Sequence, residues 1–181
     1  MTKPIIPTLF SLLLLVFISG ASAPPEITIP EALSAAATRK WPGCQLIRTD
    51  NAAFAGTDYC TFVILAQADT VGTAYVHRVK SCREGGCSNT SLDVVAGTAY
   101  EYFDYFTILN KQKSIVDVKV YNYAATHGSE ICSKGWLRQF VGYNGTKELR
   151  YGKDIDGISG ATISGQAITD DINDAVKRLK Q

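Results

Sequence analysis

The sequence Asp-Gly-Ile-Ser-Gly-Ala-Thr at residues 156–162 is a turn of small residues that leads into a helical pattern. Gly157 and Gly160 permit backbone angles and close approaches that a side chain would prevent. Apolar residues then recur at three- and four-residue spacing, which predicts one apolar helix face. They are Ile163, Ala167, Ile168, Ile172, Ala175, Val176 and Leu179. The stretch is therefore expected to form the start of an amphipathic helix that packs on the rest of the chain.

The charges and hydroxyls of this segment allow two interpretations. Asp170 and Asp171 precede the basic residues of 177–180, which is the order that the helix macrodipole favours. Ser and Thr before an amphipathic helix are usually only an N-cap. A helix N-terminus with glycines and free hydroxyls is also a suitable anion site. The residues alone leave both interpretations open.

The pattern Asp-x-x-Ser-Gly-Ala-Thr resembles the flavinylation motif of the FMN-binding domain family. That family includes flavinylated components of the sodium-pumping NADH:quinone reductase and of the Rnf electron-transport complex. In it, a flavin transferase joins FMN to the final threonine of the motif through a phosphoester bond. The resemblance implies covalent FMN on Thr162, with Asp156, Ser159, Gly160 and Ala161 as cofactor-binding neighbours. Asp156 would fix the turn or hold a metal or proton during transfer, and Ser159 would cap the helix or bond the ribityl chain.

The resemblance extends upstream over about residues 100–180, with a strand, a short segment and a helix in the family's order. Where the family has Glu-Thr-Pro-Gly, this chain has Ala125-Thr126-His127-Gly128. Thr126 and Gly128 match and are carried over as cofactor-binding residues. His127 is a candidate donor to the flavin or an ordinary loop histidine, and Glu130 is structural or replaces the missing carboxylate. These departures predict a different version of the flavin pocket.

The remaining pattern predicts an α+β fold with a mainly antiparallel sheet and its helices on one side. A helix is expected from Pro30 to Trp41, and Ser129 is expected to cap a second one that runs to Phe140 with an interruption at Gly135. Strands are expected at 44–48, 59–66 and 73–79, in the segment from Tyr102, and in a hairpin over 106–121. Strand 73–79 alternates as if one face were wet, and His77 within it is interpreted as a surface or edge histidine. Aromatic residues at 100–106 are interpreted first as core, with flavin stacking as the alternative.

The N-terminus predicts export. Lys3 and the apolar run 9–18 precede the small residues of 19–23, as in a signal peptide cleaved after Ala21 or Ala23. The run is short for a membrane span, and an uncleaved anchor is the alternative. Residues 24–99 are then a segment of uncertain affiliation, and residues 100–181 are the FMN-binding domain. A periplasmic location, or one on the outer face of the cytoplasmic membrane, is expected.

The five cysteines fit an exported chain, in which disulfides are permitted. Cys82 and Cys87 flank a turn and are a candidate pair. The odd count leaves at least one thiol unpaired or intermolecular. No cysteine pattern for haem or zinc occurs, so a stapled loop and small buried side chains are favoured over a catalytic dithiol.

With a formal charge of +1, nothing in the composition suggests a nucleic-acid-binding surface, and no nucleophile–base–carboxylate arrangement indicates a hydrolase. The family resemblance implies an exported electron carrier rather than a stand-alone enzyme. Its partners would be the flavin transferase and membrane or extracytoplasmic redox proteins. Two alternatives stay open: a flavin-dependent reductase of a small acceptor, and an exported binding module without flavin.

Overall fold

A computed structural model describes residues 29–55, 57, 59–83 and 100–180. The predicted signal peptide and the proposed Cys82–Cys87 pair lie outside the side chains that it describes. Of the three described cysteines, Cys60 is buried, Cys44 is partly buried and Cys132 is exposed. No helix among the described residues is long and apolar enough to cross a membrane.

The described chain folds around one five-stranded antiparallel sheet with strand order β1-β2-β3-β4-β5. The strands are β1 (Gln45–Thr49), β2 (Cys60–Ala66), β3 (Asp69–Arg83), β4 (Tyr100–Asn110) and β5 (Ile115–Tyr123). The helices are α1 (Glu31–Lys40), α2 (Lys134–Leu137) and α3 (Thr162–Arg178), with short 3-10 segments at Ala52–Phe54, Ser129–Cys132 and Arg138–Phe140. The predicted α+β class, the antiparallel sheet and the C-terminal helix are confirmed.

The sheet carries apolar side chains on both faces. Ala74 and Val76 of β3 face a cluster with α1, whereas Tyr75 between them faces a cluster with α3 and the short helices. The expectation of helices on one side is therefore wrong, and so is the expectation of a wet face for this strand. Because successive residues of a strand point to opposite faces, burying three in a row requires a helix layer on each side.

The segment 129–140 is more broken than predicted. Ser129 does not cap it, since Gly128 occupies the N-cap position with φ of 93°. The break falls at Ser133, between the 3-10 segment and α2, while Gly135 lies inside α2. A positive φ is easily adopted by glycine, so the chain turns at Gly128 rather than at the serine hydroxyl.

The C-terminal helix α3 buries a face slightly different from the predicted one. Ile163 is 44% exposed, whereas Ser164 is 2% exposed and Gly165 is buried as well. The rest of the predicted row, from Ile168 to Val176, lies in the core as expected. The apolar spacing therefore located the helix correctly but misplaced the first turn, where contacts with Tyr151 and Tyr123 determine the rotation.

Candidate functional site

The predicted motif forms an exposed loop at the N-terminus of α3. Thr162 is the first residue of this 17-residue helix and is exposed, and Gly160 adopts a φ of 84°. Ala161 is the N-cap residue, and no side chain caps the helix. The expectation that Ser159 caps α3 is therefore wrong, because the cap position falls two residues later.

The backbone at the start of α3 is suited to an anion. Gly165 N–H donates the first helical bond, to the carbonyl of Ala161 at 2.8 Å. Among the described residues, no acceptor receives the N–H groups of Thr162, Ile163 or Ser164. Unpaired donors at the positive end of a helix are favourable partners for a phosphate.

Three side chains from other segments support the motif loop. Trp136 of α2 donates its indole N–H to the carbonyl of Asp156 at 2.7 Å, and Gln139 accepts the backbone N–H of Asp156 at 2.9 Å. Tyr151 accepts the N–H of Ile158 at 2.8 Å. The loop is thus tied through its backbone. The Asp156 side chain is exposed and makes no hydrogen bond with any described residue.

The segment 126–130 packs beside this loop. Tyr123 lies between the two: its hydroxyl donates to the carbonyl of His127 at 2.5 Å and lies 3.0 Å from Ser164 Oγ. Gly128 is buried there, and an added Cβ would lie 2.8 Å from both Ser164 Oγ and the Tyr123 hydroxyl. The fold therefore brings two sequence-predicted segments, separated in the chain by residues 131–155, to one place.

The charged and polar groups of that segment are differently arranged. Glu130 is exposed, and its Oε1 would lie 3.8 Å from a Cβ added at Gly160. Its carboxylate therefore lies close to the motif turn. Thr126 donates a hydrogen bond to Glu101, and this bond lowers the pKa of the Glu101 carboxyl. The side chain of His127 is exposed, while its carbonyl accepts from Tyr123.

A second polar cluster, missed by sequence reasoning, lies behind the site under α3. Asp171 accepts hydrogen bonds from the hydroxyls of Tyr59 at 2.6 Å and Tyr105 at 2.5 Å, and His77 Nδ1 lies 2.9 Å from its Oδ2. The Tyr59 and His77 rings stack with centroids 3.6 Å apart. The interpretation of His77 as a surface or edge histidine is wrong. It lies in the middle strand of the sheet with 14% of its side chain exposed.

Burial and the Asp171 carboxylate together set the protonation of this cluster. Burial, followed by the nearby carboxylate, raises the pKa of Tyr59 and of Tyr105 well above the usual tyrosine range. Both hydroxyls therefore stay protonated and remain donors to Asp171. A sequence signal did exist, because Asp171 falls on the row of buried positions 164, 168 and 175.

The comparison with known families decides the class of site. The family model for the FMN-binding domain matches residues 104–177, which include β5, the 126–130 segment and the motif with most of α3. This part of the chain belongs to the FMN-binding domain family. The match supports a flavin-binding protein, with FMN as the ligand of this region. No curated protein gave a significant match.

The described residues fit FMN at this place. The uncapped start of α3 offers unpaired N–H groups to a phosphate. The space beside Gly160 is open, since the nearest atom to a Cβ added there would be Glu130 Oε1 at 3.8 Å. Trp136 and Leu137 are buried in the core, so they support the loop from below rather than offering an exposed wall. Tyr123 is half-buried and stacks on Phe103. Among the described residues, polar backbone donors rather than an aromatic wall are thus the main feature of this candidate FMN-binding site.

Proposed function

We propose that this protein is an exported electron carrier that holds FMN covalently through a phosphoester on Thr162 Oγ. One observation carries the proposal: the threonine of the motif stands exposed as the first residue of an uncapped helix, inside the region that matches the FMN-binding domain. A hydroxyl in this position is accessible to a modifying enzyme. The phosphate attached to it would lie at unpaired backbone donors.

The residues of the site divide the remaining work. Attachment forms the bond between Thr162 Oγ and the phosphorus of an activated flavin donor, such as a flavin dinucleotide. The bond from that phosphorus to the nucleoside monophosphate breaks, and the leaving group departs with the hydroxyl proton. The N–H groups at the start of α3 stabilise the negative charge that the phosphoester keeps. Ser159 and Glu130 lie beside Gly160, where they would bond the hydroxyls of the ribityl chain. Thr126, His127 and Gly128 would border the ring.

When bound, FMN supplies one- and two-electron transfer, and the protein positions and tunes it. The motif residues hold the phosphate, and no described group of three or more acidic, His or Cys side chains is arranged as a metal site. An exported carrier would exchange electrons with a membrane reductase on one side and an extracytoplasmic redox protein on the other. A flavin transferase would be needed for maturation. The N-terminal sequence supports export.

Co-expression with a flavin transferase in an exporting host tests the proposal. We expect wild type to gain the mass of FMN less one water and to fluoresce after denaturing electrophoresis. Thr162→Ala should lose both signals while keeping its far-UV circular dichroism. Thr146→Ala removes an exposed threonine hydroxyl outside the motif, and it should keep the covalent flavin. Flavin that stays covalently attached in Thr162→Ala would contradict the assignment of Thr162 as the attachment residue.

A further inference from the structure

A second surface of the molecule is a basic groove of about 650 Å³, next to the flavin site. It runs along the edge strand β5, between α1 on one side and the 132–141 segment on the other. Its cationic lining residues are Arg39, Lys40, Lys119, Lys134 and Arg138. The groove is lined by five cationic side chains and one carboxylate, that of Asp117. The formal net charge of the whole chain is only +1. The charge of the protein is thus unevenly distributed.

These cations have no carboxylate partners within the part of the chain that the structure describes. The ion pairs there involve other basic residues, namely His77, Arg78, Lys147, Arg150 and Arg178. Arg39 and Lys40 lie in the last turn of α1, where the helix dipole favours cations. The dipole does not explain Lys119, Lys134 and Arg138, which come from three other segments. A concave surface of one charge sign attracts an oppositely charged partner and increases its rate of encounter.

The rest of the groove favours an extended peptide segment over a small anion. Its floor is apolar and includes Val116, Val118 and Leu137. The strand that forms it is the last of the sheet, and among the described residues only Ile115 of β5 makes backbone hydrogen bonds on the outer side, to Tyr143 and Gly142. An open strand edge can pair with an added strand. Alternating acidic and apolar side chains on that strand would meet the cations and the floor.

The groove and the flavin site share one wall. Cys132 and Lys134 line the groove, while Glu130 and Trp136 of the same short segments contact the motif loop or lie beside it. A segment bound in the groove would therefore lie close to the flavin. Closeness of this kind is what electron exchange with a docked partner requires.

We propose that this groove is the docking surface for an acidic, extended segment of a redox partner protein. The charge and shape of the partner follow from the groove itself, and its description as a redox partner rests on the proposed function. Pairing along β5 gives affinity, and the five cations select acidic sequences.

Fluorescence anisotropy on the full chain, expressed without a flavin transferase, tests the proposal. The probe is a labelled 12-residue peptide of alternating Glu and Val, with Gln-Val and Lys-Val peptides of the same length for comparison. Of the three peptides, we expect only the Glu-Val peptide to bind. Its affinity should fall as the NaCl concentration is raised. Lys134→Glu/Arg138→Glu should weaken binding about tenfold or more. Lys111→Glu/Lys153→Glu makes the same change in net charge on exposed residues outside the groove, and should weaken binding less than about threefold.

Several outcomes would overturn the docking surface. They are equal binding of the Gln-Val peptide, equal weakening by the two double variants, or failure of the Glu-Val peptide to bind. If phosphatidylglycerol vesicles bind through Lys134 and Arg138 while the peptide does not, the groove faces an anionic membrane instead. The peptide measurement needs no flavin. Failure to attach FMN would therefore overturn the proposed function alone, and failure to bind peptide by protein that does attach FMN would overturn the docking surface alone.

Discussion

His77 in the middle strand lies with its Nδ1 2.8 Å from Oδ1 and 2.9 Å from Oδ2 of Asp171 in α3. The same carboxylate accepts hydrogen bonds from the hydroxyls of Tyr59 and Tyr105. Four polar side chains from β3, β4, α3 and the residue before β2 are thereby joined under the helix that begins at Thr162. Buried polar groups of this kind are stabilising only while each has its partner. The cluster therefore holds α3, and with it the candidate FMN site, in one position on the sheet.

Asp171→Asn should destabilise the fold by about 3 kcal/mol, because an amide of the same shape replaces a charged acceptor shared by three donors. Urea unfolding followed by circular dichroism measures the change. Asp170→Asn is the matched control, since Asp170 is exposed and its carboxylate accepts a hydrogen bond only from Gln166 of the same helix. That control should cost about 0.5 kcal/mol or less. Equal effects of the two substitutions would show that the cluster does not hold the helix.

The free energy of unfolding should fall at alkaline pH because Tyr105 ionises more readily in the unfolded chain than in the fold. Its pKa is raised by burial and by Asp171, so it stays protonated in the fold, whereas an unfolded tyrosine ionises near pH ~10. The folded state then binds more protons, and stability present below that pH is lost as pH rises above it. Tyr105→Phe should reduce this loss by about 1.4 kcal/mol per pH unit. Urea unfolding at several pH values measures the slope, and an unchanged slope in Tyr105→Phe would contradict the assignment.

Gly128→Ala should damage the site more than Gly142→Ala, although both glycines have φ of 93°. The strained backbone costs each variant about 1–2 kcal/mol. A Cβ at Gly128 would also lie 2.8 Å from Ser164 Oγ and the Tyr123 hydroxyl, whereas nothing lies within 4 Å of one at Gly142. We therefore expect a further loss of about 1–3 kcal/mol in Gly128→Ala, measured by urea unfolding, together with reduced FMN incorporation. The same loss in both variants would mean that the contact with α3 is easily relieved.

Gly165→Ala should destabilise the protein although alanine favours helices. A Cβ at Gly165 would overlap the Tyr151 ring, and crowding of this kind costs about 1–3 kcal/mol. Tyr151 would have to move away from the N–H of Ile158, so FMN incorporation should also fall. Gly135→Ala, also in a helix, meets only Ser133 Oγ at 3.7 Å and should be neutral or stabilising by up to about 1 kcal/mol. Thermal denaturation of both variants gives the comparison, and a stable Gly165→Ala would contradict close packing there.

The short-range features of the fold could be predicted because they depend on neighbours in sequence. The helix after Pro30, the hairpin of β4 and β5 and the helix from Thr162 follow from apolar spacing and turn residues. The motif could be matched to FMN because its seven residues are contiguous. The predicted helix from Ser129 failed because a 3-10 segment, a break and a short helix have no distinct spacing.

By itself, then, the sequence of this protein determined the α+β class, the turn that carries Thr162 and the family to which that turn belongs. Only the tertiary structure decided that His77 meets Asp171, that Ser164 and not Ile163 turns inward, and that Glu130 lies beside Gly160. The physical reason is distance along the chain. Each of these features depends on residues of different elements. Side-chain packing between the elements selects among arrangements that local spacing allows equally.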